Sequence, residues 1–237
     1  MIISNLASSS SSIALVTGGS GGIGLAIAKK LASEKMNVIT ADIAAPQHEM
    51  SGIVFKECDV RQGEDIDKLY AWMSNNTGLP DVLVLNAGKG IHEQLLEGDP
   101  EKWKDVIDLN VMGVLRCIRA FVPAIKEKGG HVVIISSVSA NKPYTYGGIY
   151  SASKAAIEII AETLRLEAMP RVKVTVVAAG VTDTTFFTNQ VSGSTSVEEI
   201  GMGSLPPEDI AEDVFYAISK KNGVINKIIT RPPGQDF

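Results

Sequence analysis

The stretch YSASK (150–154) sets Tyr150 and Lys154 four residues apart. On a helix, that spacing puts two side chains on one face, where both reach the same ligand. A phenol beside an ammonium is suited to moving a proton. A free tyrosine, with a pKa of about 10, is a poor base at neutral pH, but a neighbouring positive charge favours its phenolate. The spacing also recurs by chance on exposed helices, so its meaning depends on what else the chain supplies.

TGGSGGIG (17–24) follows an apolar run directly and opens a helical pattern. Glycines there let the backbone turn tightly and approach a pyrophosphate, whose charge faces the free amides of the helix N-terminus. Two registers fit. Gly19, Gly21 and Gly24 spell G-x-G-x-x-G, while Thr17, Gly18, Gly22 and Gly24 spell T-G-x-x-x-G-x-G. Asp42 ends the next apolar run, 18 residues beyond Gly24. A carboxylate there accepts hydrogen bonds from both hydroxyls of an adenosine ribose and repels a 2′-phosphate. No Arg or Lys lies in the glycine loop or just after Asp42. The expected cofactor is therefore NAD rather than NADP.

These residues need a frame. Apolar runs at 13–16, 37–40, 53–58, 82–86, 131–136, 172–177 and 224–230 read as strands, several continuously apolar as in a sheet buried on both faces. Helical patterns fall between them at about 22–34, 62–76, 100–127, 149–168 and 208–220. This alternation predicts an α/β fold: a single Rossmann-like, doubly wound parallel sheet of about seven strands with helices on both faces. No linker, repeat or composition shift divides residues 13–237. The stretch 181–206 has no clear period, and a loop that long inside a domain reads as a substrate lid.

With 45% apolar and 21% charged residues, the 237-residue chain has the composition of an ordinary globular protein. Its net charge of −5 is dispersed and no basic stripe is present, which argues against a nucleic-acid partner. No apolar run has the length of a membrane span. MIISNLASSSSS lacks a basic n-region, and residues 1–12 read as a disordered tail. Cys58 and Cys117 are far apart and read as packing thiols, so the expected address is the cytoplasm. His48, His92 and His131 share no metal-ligand spacing; none is assigned to catalysis and no metal is expected. Trp72 and Trp103 sit in helical patterns and read as core. Tyr144 and Tyr146 either line a substrate pocket or pack on a neighbouring loop, and Phe186–Phe187 face a substrate from the lid.

Further motifs appear in order. Asn86, Ala87 and Gly88 spell N-A-G after the fourth strand, Asn110 opens N-V-M-G, and Ser137 lies in SSVSA, 13 residues before Tyr150. Together with the glycine loop and Y-x-x-x-K, this set resembles the short-chain dehydrogenase/reductase family over nearly the whole chain. The resemblance implies an oxidoreductase acting on CH–OH groups, with Asn110, Ser137, Tyr150 and Lys154 as its catalytic set. It implies that Asp59 and Val60 meet the adenine, that Asn86 lies beside the adenosine ribose, and that Ile23, Ala87 and Gly88 line the cofactor. The family's P-G turn is Ala179–Gly180 here. Val181 and Thr184 follow it, Thr184 helping to hold the nicotinamide amide. A homotetramer or homodimer joined through the helices at about 100–127 and 149–168 is also implied.

In that setting Tyr150 is the general acid/base, Lys154 favours its phenolate and holds the nicotinamide ribose, and Ser137 donates to the substrate oxygen. Asn110 would hold a water connecting the lysine to solvent. PYTYGGIYSASK and INKIITRPPGQDF look like the branch containing serine and 3-hydroxy acid dehydrogenases, whose members commonly prefer NADP, against Asp42. Two alternatives stand beside a secondary-alcohol dehydrogenase. A 3-oxoacyl-carrier-protein reductase is opposed by the missing N-G-G in the final strand. A non-catalytic dinucleotide-sensing protein is opposed by the complete catalytic set.

Overall fold

The computed structural model describes residues 12–48, 50–193 and 196–236; apart from Ser12, the expected N-terminal tail lies outside them. Seven strands form one parallel sheet in the order β3-β2-β1-β4-β5-β6-β7. They are β1 (Ile13–Thr17), β2 (Asn37–Asp42), β3 (Ile53–Glu57), β4 (Val82–Leu85), β5 (Gly130–Ser137), β6 (Val172–Ala179) and β7 (Lys227–Thr230). The helices are α1 (Gly22–Ser33), α2 (Gly63–Asn76), α3 (Pro100–Ile107), α4 (Gly113–Lys128), α5 (Gly148–Ala168), α6 (Val197–Ile200) and α7 (Pro207–Ile218).

Side chains alternate across the pleat, so each strand feeds two cores. Leu15, Ile39, Leu83 and Ile134 pack with Met73, Phe121 and Ile157 of α2, α4 and α5. Their neighbours Ala14, Val16, Val38, Val84 and Val133 pack on the other face with Ile27, Leu31, Ile210 and Val214 of α1 and α7. Burial on both faces is why these strands read as unbroken apolar runs. Cys58 and Cys117 lie in the first of these cores as free thiols, each pushed up to about 12 by burial.

Three elements differ from the sequence expectation. The helix expected over 100–127 is interrupted by a π turn, Asp108–Met112, where the Gly113 N–H reaches back five residues to the Asp108 carbonyl. The last strand begins at Lys227 rather than at 224. A four-residue helix, α6, lies inside the aperiodic stretch. Ser196 caps it and Glu199 bonds back to the Ser196 N–H, a pairing that S-x-x-E announces. Among the described residues no helix is long and apolar enough to cross a membrane.

Candidate active site

The winding of the sheet reverses between β1 and β4, and in such sheets a crevice opens at the carboxyl ends of the strands where this happens. Here it holds a cleft of about 790 Å³. The turn after β1 is built on close backbone approach. Gly18 takes φ +64°, and a Cβ there would lie 2.8 Å from the Ala87 Cα. A Cβ on Gly24 would lie 2.1 Å from the Gly18 carbonyl oxygen. Asn86 Nδ2 donates to the Thr17 and Gly18 carbonyls, both at 3.0 Å, while Thr17 Oγ1 accepts from the Asn86 and Ala87 N–H groups. The glycine loop and N-A-G are thus one hydrogen-bonded unit. Asn86 lines the cleft, but its side-chain amide serves the loop.

This end fits a dinucleotide phosphate on its own observations. Gly21, the N-cap of α1, has no side-chain cap, and a Cβ there would meet nothing within 4 Å. No side chain caps the first amides of the helix, which are the ones a phosphate at this N-terminus would meet. Ser20 Oγ, on the cleft wall, is buried with no hydrogen-bond partner. Asp42 accepts from the Ser20 N–H at 3.0 Å and from the Ile43 N–H at 2.7 Å. The wall beyond it runs through Ile43, Ala44 and Ala45, then Asp59 and Val60, with no Lys or Arg. The Asp59 carboxyl is held below its usual range by hydrogen bonds from Arg61.

At the other end, Ser137, Tyr150 and Lys154 converge on the same cleft. Ser137 closes β5, and its Oγ accepts from the Ser139 N–H at 3.2 Å and the Ser139 hydroxyl at 3.0 Å. A hydroxyl has two acceptor lone pairs and one proton, so Ser137 keeps its own proton to give. Ser139 escaped the sequence reading. Lys154 is 6% exposed, and its Nζ donates to the Ile135 carbonyl at 3.0 Å, leaving two protons free. Nζ stands 5.7 Å from the centre of the Tyr150 ring. Burial lowers the lysine to about 8, with Glu158 opposing. Burial raises the Tyr150 phenol above its ordinary value, the Ser137 hydroxyl pulling it part of the way back. The buried phenol thus needs the full charge of its lysine.

Asn110, in the π turn, stands behind the cleft. Its Oδ1 accepts from the Lys89 N–H at 2.9 Å, and its Nδ2 donates to the Lys89 carbonyl at 2.9 Å and to Ser153 Oγ at 3.0 Å. Its side chain therefore clamps the residue after N-A-G. Gly22, Ile23, Ala87, Gly88, Gly180 and Val181 line the cleft, and Thr17 and Gly24 support it from behind. Gln235, near the C-terminus, also reaches the cleft and accepts from the Val181 N–H at 3.1 Å, a return that no local motif announces.

Of the stretch 181–206, whose residues 194 and 195 lie outside the described ones, the part from Val181 to Gln190 and the part from Glu199 to Met202 line the cleft. The ends of the stretch are tied by bonds from the Leu205 N–H to the Val181 carbonyl and from the Asp183 N–H to the Leu205 carbonyl. Thr184 sits 3.3 Å from where a Cβ on Gly22 would be, spanning the cleft. Phe186 lays its ring 5.5 Å from that of Tyr150. The Val191 N–H donates to the Gly90 carbonyl and the His92 N–H to the Ser192 carbonyl. Glu93 joins these pieces, accepting from the Ser192 hydroxyl, the Asp99 N–H, Trp103 Nε1 and Lys102 Nζ. The Ser192 hydroxyl first, and then the other donors, bring Glu93 down to about 2. Tyr144 lines the cleft, whereas Tyr146 does not and meets the His92 ring edge-on, so the two alternatives for that loop each hold for one residue.

The sequence profile described as short chain dehydrogenase matches residues 12–194. The chain belongs to this family. A farnesol dehydrogenase of Aedes aegypti is 33% identical over 246 residues, covering 95% of this chain and 97% of the relative. Among solved structures, an alcohol dehydrogenase from the archaeon Thermococcus sibiricus complexed with 5-hydroxy-NADP has a TM-score of 0.83 at 26% identity, covering 94% of this chain and 97% of that one. A closed form of serine dehydrogenase complexed with NADP+ has a TM-score of 0.85 at 25% identity, covering 95% of this chain and 96% of that one. The chain is thus an oxidoreductase of the short-chain dehydrogenase family.

Proposed function

We propose that this short-chain dehydrogenase uses NAD(H) to interconvert a secondary alcohol and a ketone, with Tyr150 as general acid/base. The observation that carries this reading is the convergence of Ser137, Tyr150 and Lys154 on a cleft whose far end is the glycine loop and Asp42. When bound, the nicotinamide gives or takes the hydride and, oxidised, adds a positive charge beside the phenol. Ser137 turns its proton from the Tyr150 oxygen to the substrate oxygen. Tyr150 delivers the proton to that oxygen in reduction and removes it in oxidation. Lys154 stabilises the phenolate and holds the nicotinamide ribose with its two remaining protons. Asn110 fixes Lys89 and the backbone beside them. The described part of 181–206 is a lid that seats Phe186 on Tyr150 and excludes water.

Asp42 supports NAD over NADP. A carboxylate offers about four acceptor sites, and its two backbone bonds leave room for both ribose hydroxyls. A 2′-phosphate would meet this charge with no cation on the adjoining wall. The two structural neighbours hold NADP-type ligands, so the NAD reading rests on Asp42 and the wall beside it alone. Free buried thiols suit the cytoplasm. Ile159 and Leu166, exposed on α5, suit a homodimer or homotetramer, which sedimentation tests directly.

The deciding experiment is a thermal-shift titration with NADH and, separately, NADPH. A ligand at about 100 times its dissociation constant stabilises the fold by roughly 2.7 kcal/mol. NADH should raise Tm and NADPH should not. The reverse result removes Asp42 from its role, and no shift with either cofactor removes the dinucleotide site.

A further inference from the structure

Glu158 follows Lys154 by one more helical turn, so Tyr150, Lys154 and Glu158 form a ladder at four-residue spacing along one face of α5. The carboxylate is held from three directions. Ser136 Oγ donates to Oε1 at 2.9 Å, Asn141 Nδ2 to Oε2 at 3.3 Å, and Lys227 Nζ of β7 to Oε2 at 2.6 Å. Ser136 precedes Ser137, so the strand that ends in the reacting hydroxyl also anchors this carboxylate. Lys154 itself is buried without an ion pair within 4.0 Å among the described residues. An ammonium taken out of water stays charged only where nearby anions or acceptors compensate for lost hydration.

We propose that Glu158 is a positioning residue that keeps Lys154 charged in its buried seat, and that Lys227 sets how much of the carboxylate's field reaches it. The proposal rests on the role of Lys154 above. Tyr150 and Glu158 on α5, Tyr144 before it, Lys89 after β4 and Lys227 on β7 are the titratable groups around this seat. The ends of β5 and β6 and the π turn bring the neutral Ser136, Ser137, Ala179 and Asn110. Of these groups, Glu158 is the one that opposes the burial of the lysine, which stands at about 8. Without the carboxylate, Lys154 would lose charge near neutral pH and Tyr150 its support. Without Lys227, the carboxylate would act on Lys154 unshared.

The test follows the Lys154 side chain by NMR in protein labelled with 13C at lysine Cε, the resonance being assigned by its loss in Lys154→Arg. Glu158→Gln should lower the titration midpoint by about one pH unit, the size of effect expected of a nearby opposite charge. Lys227→Met should raise it, and Glu158→Asp should restore part of the loss. A merely structural Glu158 would lower Tm and leave the midpoint where it was; that result overturns the proposal. A midpoint unmoved in Lys227→Met overturns the part given to Lys227. Should Glu158→Gln not fold, the opposed shifts expected of Glu158→Asp and Lys227→Met decide the matter. The titration needs no cofactor or substrate. If NADH fails to bind the wild-type protein, the cofactor reading falls while the lysine result stands.

Discussion

The two ends of the cleft are held in different ways. At the glycine loop, backbone meets backbone: the Gly18 carbonyl would touch a Cβ on Gly24, and Asn86 clips the turn from β1 to the turn from β4. At the substrate end, side chains from stretches far apart in sequence meet instead. His92, Tyr144, Phe186 and Glu93 come from three segments, joined by ring contacts and one carboxylate hub. A backbone cradle admits few residue types and serves any bound dinucleotide. A wall of side chains on loops tolerates substitution, which is how one fold comes to accept many substrates.

The largest expected effect falls between the two ends. Tyr150→Phe keeps the ring, its contact with Phe186 and the cleft wall, and removes the proton. Turnover on a ketone found by screening should fall by roughly 10²–10⁴-fold, the usual contribution of a general acid/base. NADH affinity should change little. Turnover within a few fold of wild type would take Tyr150 out of its role.

Gly24→Ala breaks the cradle. Its Cβ would stand 2.1 Å from the Gly18 carbonyl and 2.5 Å from Asn86 Nδ2, neither of which is the free end of a flexible chain. Overpacking of this kind costs about 1–3 kcal/mol. The variant should show a lower Tm and a loss of NADH binding, read by calorimetry. Wild-type affinity would mean that the loop has slack the structure does not show.

This difference also explains what the sequence made legible. The strands, the glycine motif and Y-x-x-x-K are legible because each is a pattern of residue types written within a few positions of the string, even where, as for the glycine loop and Asn86, the partner that holds it lies far away. The π turn is not, and the Asn110 side chain that it carries finds its partner at Lys89, 21 residues back. Gln235 and Lys227 join the site through partners 54 and 69 residues away. Ser139 could have been found, because a second hydroxyl two residues past Ser137 is a pattern in the string itself. The capping box at Ser196 was likewise written out as S-V-E-E.

Phe186→Ala bears on the substrate end alone. Removing the ring uncovers Tyr150 and breaks an aromatic contact of a kind worth about 0.5–1.5 kcal/mol beyond its area. KM for the ketone should rise by up to about tenfold, with NADH affinity unchanged. A parallel loss of NADH affinity would show that the two ends are coupled more tightly than their separate construction implies.

Glu93 gives the smallest effect and the clearest sign. Its folded-state pKa of about 2 lies below the 4.5 of a free side chain, so the native form binds fewer protons than the unfolded one. The stability this carboxylate contributes is present above about pH 4.5 and is lost as the pH falls toward 2. Its partners are Ser192, Lys102, Trp103 and the Asp99 N–H, none of them in the glycine loop. Hydrogen exchange should therefore speed up around residues 90–93 and 191–193 as that range is crossed, while the amides of β1 and α1 keep their protection. Glu93→Gln should bring the same local loosening to neutral pH, since an amide accepts more weakly from the ammonium and hydroxyl than a carboxylate does. Equal loosening of both ends in the variant would mean that the cradle leans on the lid, and the contrast between them would have to be redrawn.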